Sequence, residues 1–418
     1  MGGEHFDVAV IGSGPAGSVA ALVLARGGAR VALVDKARFP RDKACGDLVG
    51  PRGIQLLQDL GIEPGDGARR VDDMIVLGPA GRPVRLPCTE GDTYPGYGLA
   101  LPRVHFDALL HEAAVAAGAC PVVARVERVV AGSDGDGDGR AVLLSTGGEI
   151  RSDVVIGADG ATSQVATAAG LVDPERVLWG FAVRSYLNDP VSVPHIVLWD
   201  EARRRGFPGY GWLFPGLDGQ ANVGLGLGVM AARGEGSRAV RQLAPFLQHL
   251  RTSGVLTGPL SPVRQLGGWL KMGMVGTVPA RGRVLLVGDA AGLVNPLQGE
   301  GIAAAMGSAR AAAEAVLAGP AQAADRYRAF LAETYAPYLN ASVPLHRALL
   351  PHPRLVSAAG RALTAPGVGR LLSGGWAIFW NDLLAGARPS GGRRLAAAAQ
   401  TTGTFLSARG RRSRVLDP

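Results

Sequence analysis

The chain has 418 residues, a formal charge of +8, 47% hydrophobic and 19% charged residues. This length and balance suit two substructures, or one large domain with an inserted second layer, and exclude a disordered chain. No apolar run reaches the roughly 18 to 20 residues of a membrane span, and no basic stripe interleaved with aromatics points to nucleic acid.

Three cysteines without paired spacing, Cys45, Cys88 and Cys120, form neither a disulfide framework nor a zinc site and suit a reducing cytoplasm. The N-terminus passes at once into an apolar run over residues 6–11, so no leader peptide is expected. That run predicts a strand. Gly12-Ser13-Gly14-Pro15-Ala16-Gly17 follows it, then a predicted helix over 16–26, a second strand over 30–34, and Asp35. A lone GxGxxG says little, but strand, GxGxxG, helix, strand and acid in this order describe a dinucleotide site. The glycines let the backbone approach a pyrophosphate, the helix N-terminus faces it with N–H groups, and Asp35 can accept from a ribose 2′-OH. A carboxylate there would repel a 2′-phosphate, which favours the adenosine of FAD or NAD over NADP. No clear second GxGxxG follows, so a nicotinamide donor would have to visit without a Rossmann site of its own.

A loop from residue 39 leads to a predicted helix over 51–60, with apolar Ile54, Leu56, Leu57 and Leu60. Residues 71–86 read as a hairpin around Gly78-Pro79-Ala80-Gly81. The spacing of Phe106, Leu109, Leu110 and Ala113 predicts a helix over 104–117. Strands are expected over 122–130 and 141–145, joined by a Gly/Asp-rich loop. That loop superficially resembles a calcium loop, but Ser145 stands where the bidentate acid would be, so a hairpin tip and no metal are expected. A buried strand at 154–157 ends in Gly157-Ala158-Asp159-Gly160. From about residue 177 to 270 the pattern turns strand-like, at 184–187, 196–199, 210–214 and 221–228, and predicts an antiparallel sheet.

The chain returns to a buried strand at 284–287, followed by Gly288-Asp289-Ala290-Ala291-Gly292. A carboxylate at that strand's C-terminal end can accept from the ribityl hydroxyls of a flavin. Next comes Asn295-Pro296-Leu297-Gln298-Gly299-Glu300-Gly301-Ile302, opening an alanine-rich helix to about 317. Its positive end would favour the negative charge that a reduced flavin carries on its pyrimidine edge. Further helices are expected over 324–335 and on to about 384, with a basic tail over 391–418 expected to be flexible. Six arginines crowd that tail: Arg393, Arg394, Arg409, Arg411, Arg412 and Arg414. They serve either solubility or attraction to anionic lipid headgroups. The predicted organisation is one discontinuous nucleotide-binding domain (5–67, 100–165, 280–320), a second layer (68–99, 170–279), and C-terminal helices (321–390).

These segments resemble the geranylgeranyl-reductase-like branch of the FAD enzymes that share the p-hydroxybenzoate-hydroxylase fold. The resemblance spans roughly residues 5 to 350. It rests on GxGxxG, on Arg41-Asp42-Lys43-Ala44-Cys45-Gly46-Asp47, on Arg103-Val104-His105-Phe106-Asp107, on Gly157 to Gly160, and on the segment from Gly288 to Gly301. The most discriminating match is complete: Pro208-Gly209-Tyr210-Gly211-Trp212-Leu213-Phe214-Pro215, like the family's P-x-Y-x-W-x-F-P. Ala44 departs from the family's proline before the cysteine. The implied fold is α/β, a Rossmann-like FAD-binding domain with an inserted antiparallel-sheet substrate domain and a helical C-terminus.

The resemblance implies FAD along Gly12, Gly14, Pro15, Ala16, Gly17 and Asp35. It adds Arg41, Cys45, Gly46, Arg103, Val126 and Asp159, and then Gly288, Asp289, Gly299, Gly301 and Ile302. Arg103 would lie along the phosphates or ribityl chain. Tyr210, Trp212 and Phe214 alternate on a strand, so they share one face, which would line a lipid-shaped pocket; ordinary sheet core is the alternative. The implied reaction is reduction of carbon–carbon double bonds in an isoprenoid chain, with electrons from NAD(P)H, ferredoxin or another carrier. Cys45 would supply or relay the proton, with Lys43 and Arg41 tuning its pKa; the alternative is a small residue shaping the flavin site. The rival chemistry on the same fold is a flavin monooxygenase that hydroxylates or epoxidises a terpenoid or aromatic. Halogenation is disfavoured by the absence of a W-x-W-x-I-P signature. Since isoprenoid lipids live in bilayers, peripheral membrane association is expected through residues 371–380 and the arginine tail.

Overall fold

The computed structural model describes residues 5–79, 82–130, 140–144, 148–199, 209–229, 235–349 and 352–367. The first strand, His5–Ile11, ends in a fully buried run, as a strand covered on both faces must. It pairs in parallel with Val31–Asp35 on one side and Glu149–Gly157 on the other. Cys120–Val123 and Val284–Leu286 extend the parallel sheet at its two flanks. Strands almost 300 residues apart in sequence thus share one sheet, with Glu149–Gly157 between them. The alanine-rich helix Ile302–Leu317 buries one face after another between Pro15–Arg26 and Ala323–Thr334. Its short side chains let these elements approach closely. Tyr327 seals this side of the core, with its hydroxyl donating to the Leu286 carbonyl at 2.8 Å.

A second sheet stands over the C-terminal ends of the parallel strands. Among the described residues its order is Val263–Met272, Leu178–Leu187, Ala221–Val229, Gly209–Pro215, His195–Val197, Asp73–Leu77 and Pro83–Pro87. All pairings are antiparallel except that of His195–Val197 with Asp73–Leu77. The predicted 71–86 hairpin therefore joins this sheet from a distant part of the sequence.

The stretch read as strand-like also holds the helix Glu235–Thr252, between strands of the sheet. Ala239, Leu243, Phe246, Leu247 and Leu250 recur three and four residues apart and bury against the sheet's outer face with Leu213, Val223 and Leu225. The helical period decides the local structure there. Tyr210, Trp212 and Phe214 point the other way, toward the first domain.

The helices Ala336–Leu349 and Pro353–Leu363 follow. The expected structure beyond residue 367, the basic tail, residues 371–380, Pro208 and the 132–139 loop lie outside the described residues. Among those described, no helix is long and apolar enough to cross a membrane, and no cluster of His, Cys, Asp or Glu could hold a metal.

Candidate active site

The glycine turn after the first strand brings the two strand ends and the helix N-terminus together. Gly12 adopts φ +99, and a Cβ there would fall 2.4 Å from the Ala158 carbonyl oxygen, so only glycine lets the two strand ends meet. Pro15 opens the helix, with Ala16 and Gly17 in its first turn, and the Gly14 N-cap has no side-chain partner. Arg41 leans over this turn. Its Nη2 lies 3.4 Å from where a Gly14 Cβ would be, and its guanidinium stacks on Phe39 and donates to Asp107 at 2.8 Å. A bare helix N-terminus with an arginine held above it fits a pyrophosphate. Asp35 accepts from the Ser13 and Ala37 N–H groups at 2.8 and 2.9 Å, which fixes its carboxylate at the strand end where a ribose would lie. Val126 is buried beside it, next to Ala124, whose N–H donates to the Asp35 carbonyl at 2.9 Å.

The Gly288 to Gly301 segment lies under the second sheet. Gly288 and Asp289 form a short 3-10 turn after Val284–Leu286, and Lys43 reaches the Asp289 carboxylate at 3.5 Å. Gly299 and Gly301 bring the backbone round to Ile302 at the helix N-terminus, and the site of a Gly301 Cβ lies 3.4 Å from Asp289 Oδ1. The Glu300 carboxylate accepts from the Ala303 N–H at 2.8 Å, so the chain itself satisfies part of this helix end. Tyr210 donates to the Gln298 carbonyl, tying the second sheet to the segment. Gln298 buries both atoms of its side-chain amide without a protein partner. Orphaned donors and acceptors beside the flavin segment fit the polar edge of a cofactor.

Between these two segments lies the Cys45 loop. Cys45 is half-buried, and its Sγ accepts from the Asp47 N–H at 3.4 Å. Burial pushes the thiol above its ordinary value; the Arg103 guanidinium opposes this and the Asp47 carboxylate adds to it. Gly46 lies against the aromatic face: a Cβ there would stand 2.8 Å from the Phe214 ring and 3.4 Å from Trp212 Nε1. Asp47 is 1% exposed and takes the left-handed conformation, φ +62. Its carboxylate accepts from the Tyr186 hydroxyl at 2.5 Å, Asn222 Nδ2 at 2.7 Å and the Arg103 N–H at 3.2 Å. Burial raises its pKa against these three donors.

Three placements differ from expectation. Lys43 and Arg41 turn to Asp289 and Asp107, so the charges that act on the thiol are those of Arg103 and Asp47. Arg103 is 4% exposed and grips Asp107 through two bonds, at 2.6 and 2.8 Å, beside the thiol. Asp159 spends its carboxylate on the short helix Gln164–Ala168, accepting from Ser163 Oγ and the Gln164 and Val165 N–H groups at 2.5 to 3.2 Å. An acid within reach of a free helix N-terminus caps it. Trp212 and Phe214 are buried against the Cys45 loop, on the face their alternation predicted.

Sequence reasoning missed Asn222, Tyr186, His111 and Lys271. Asn222 is a fully buried polar residue in a strand otherwise of glycine and apolar residues, and that anomaly was the available signal. His111 stacks on Phe39 at 4.3 Å and bonds Ser13 Oγ at 2.7 Å, bracing the glycine loop; nothing local marks it. Lys271 is 1% exposed and donates to the Ala290 carbonyl at 2.7 Å from beneath the Gly288–Ala291 turn.

The FAD binding domain family matches residues 5–328. The chain is 36% identical over 320 residues to a menaquinone reductase of Mycolicibacterium smegmatis, covering 75% of this chain and 76% of the relative. It is 33% identical over 321 residues to digeranylgeranylglycerophospholipid reductase 2 of Methanopyrus kandleri, covering 74% and 76%. Among solved structures, a geranylgeranyl bacteriochlorophyll reductase-like protein of Thermoplasma acidophilum matches with TM-score 0.71 at 22% identity, over 98% of this chain and 100% of that one, a likeness of fold.

Proposed function

The chain belongs to the FAD binding domain family and to its geranylgeranyl-reductase-like flavoenzymes, and on that premise we propose that it reduces carbon–carbon double bonds in the isoprenoid chain of a prenyl lipid or prenylquinone. Reduced FAD, when bound, supplies the hydride for one alkene carbon. The observation that carries the reading is the Cys45 thiol, kept protonated by burial and set between the cofactor segments and the aromatic face. An isolated alkene needs a proton on its second carbon, and a neutral thiol holds one. When that proton leaves, the Asp47 N–H and the Arg103 guanidinium face the sulfur and ease the charge left on it. Trp212 and Phe214 keep water from the loop, and Tyr210 ties their strand to the Gln298 turn.

In this proposal the two glycine segments and Arg41 hold FAD, and Cys45 and Gly46 face it without anchoring it. Gly12 to Gly17 and Arg41 take the pyrophosphate, Asp35 the ribose, and Asp289 with Gly299 to Ile302 the ribityl and flavin end. Asp159 and Arg103 act on it through the helix and the loop they brace. Electrons come from an external carrier, NAD(P)H, ferredoxin or another; a nicotinamide donor would visit without a Rossmann site of its own, as no clear second GxGxxG follows in the sequence.

A peripheral seat on an anionic membrane surface completes the proposal. Leu355 and Leu345, 56% and 46% exposed, are the most exposed large hydrophobic residues described, and they lie on the last two described helices. Residues 336–381 contain no Asp or Glu, and Arg347 and Arg354 flank the leucines. The test of the chemistry is product mass after incubation with a geranylgeranyl lipid and a reductant, with and without oxygen. Gain of two hydrogens per bond in both conditions supports the reductase. Gain of an oxygen atom, only in air, replaces it with the monooxygenase.

A further inference from the structure

Asn222 comes from the second sheet, yet both of its amide atoms are committed around the cysteine loop. Its Oδ1 accepts from Trp212 Nε1 at 2.9 Å, and an indole nitrogen can only donate, so the amide's orientation is chemically fixed. The Nδ2 end then faces inward. There it donates to the Cys45 carbonyl at 2.7 Å and to Asp47 Oδ2 at 2.7 Å. Asp47 returns the contact by donating its N–H to Cys45 Sγ and is held by the Tyr186 hydroxyl. The ring closes through Asn222, and all its side chains except that of the half-buried cysteine are buried. A fully satisfied buried polar network fixes one geometry, whereas a partly satisfied one is costly.

We propose that Asn222 is a positioning residue for the Cys45 thiol, and that Trp212 orients the Asn222 amide in addition to shaping the substrate face. The inference rests on the reading of Cys45 as proton donor and deepens it: the acid of one domain is set in place by an amide of the other. Loosening the ring admits water to the thiol and lowers the desolvation that keeps it protonated. The thiol then titrates at lower pH.

The test uses the FAD-loaded protein with Cys88→Ser and Cys120→Ser, so that Cys45 is the only thiol. The pH dependence of its alkylation by iodoacetamide is compared with that of Asn222→Leu and Trp212→Phe, each checked for its flavin spectrum and melting temperature. The expected result is alkylation at neutral pH that rises about tenfold for each pH unit the thiol falls, largest in Asn222→Leu and smaller in Trp212→Phe. Turnover falls through kcat with little change in KM. An unchanged alkylation profile in a folded, flavin-loaded Asn222→Leu would overturn the proposal. Should that variant not fold, the same absence of change in Trp212→Phe would do so. Failure of the proton-donor reading looks different: Cys45→Ala would keep full turnover while the Asn222 variant still shifted the alkylation profile.

Discussion

Few residues show how position makes chemistry as directly as Cys45. A free thiol is a weak acid with an ordinary value of 9.0, and burial moves this one higher. The protonated form therefore persists across neutral pH. Turnover governed by this group should stay flat to about pH 9 and fall only as the thiol ionises above that, which a kcat–pH profile at saturating lipid will show. Gly46 beside it has no room for a methyl group, since the Phe214 ring would lie 2.8 Å from it. Gly46→Ala should keep FAD, because the nucleotide end is untouched, and lose most activity; flavin content and turnover measured together separate the two. The Cys45–Gly46 segment stood out in the sequence because it resembles a family motif. Asp47 stood in the same segment without an assigned role, and Asn222 offered only the signal of a polar residue in an apolar strand, because its partners Cys45 and Asp47 lie some 175 residues away.

Elements differ in how well their patterns declare them. The parallel strands and the alanine-rich helices were readable because each carries its own period or apolar run. The helix Glu235–Thr252 was not, because glycine-rich strands surround it and the stretch was read for its alternation alone. The strand Val263–Met272 hides a different cost. Burial lowers its Lys271 to about 8, against an ordinary 10.5, although Asp159 and Asp289 oppose the shift. A lowered lysine disfavours folding: the penalty is full below the folded value and fades as pH rises from 8 to 10.5. Its size is roughly 3 kcal/mol, and the bond to Ala290 returns about 1 kcal/mol. Lys271→Met should therefore stabilise the protein by about 1 to 2 kcal/mol at pH 7, and the gain should shrink in urea melts run toward pH 10. A gain that grows with pH would refute this account of the lysine.

At the scale of the molecule, the Cys45 loop lies under a roof supplied by the second sheet, with Gly46 against Trp212 and Phe214. The apolar run after residue 280 was readable as a strand, and Val284–Leu286 pairs with Glu149–Gly157 in the first sheet. It could not announce the Asp73–Leu77 hairpin's place in the distant sheet, because pairing with His195–Val197 leaves no local mark. The basic, acid-free C-terminal stretch predicts flotation with anionic vesicles at low salt and release when salt reaches about 0.5 M, where the Debye length is a few ångströms. Leu355→Asp should weaken binding without touching turnover on a detergent-dispersed lipid. Flotation that ignores both salt and this substitution would move the contact elsewhere.

The most direct measurement is a single anaerobic turnover. The bound flavin is reduced, oxygen is excluded, a geranylgeranyl-bearing lipid is added, and the oxidised flavin spectrum is followed in the wild type and in Cys45→Ser. The account predicts prompt reoxidation by the lipid in the wild type, slowed about 10²- to 10⁴-fold in the variant, with unchanged flavin binding. Reoxidation only on admitting oxygen, or an equal rate in Cys45→Ser, would contradict it.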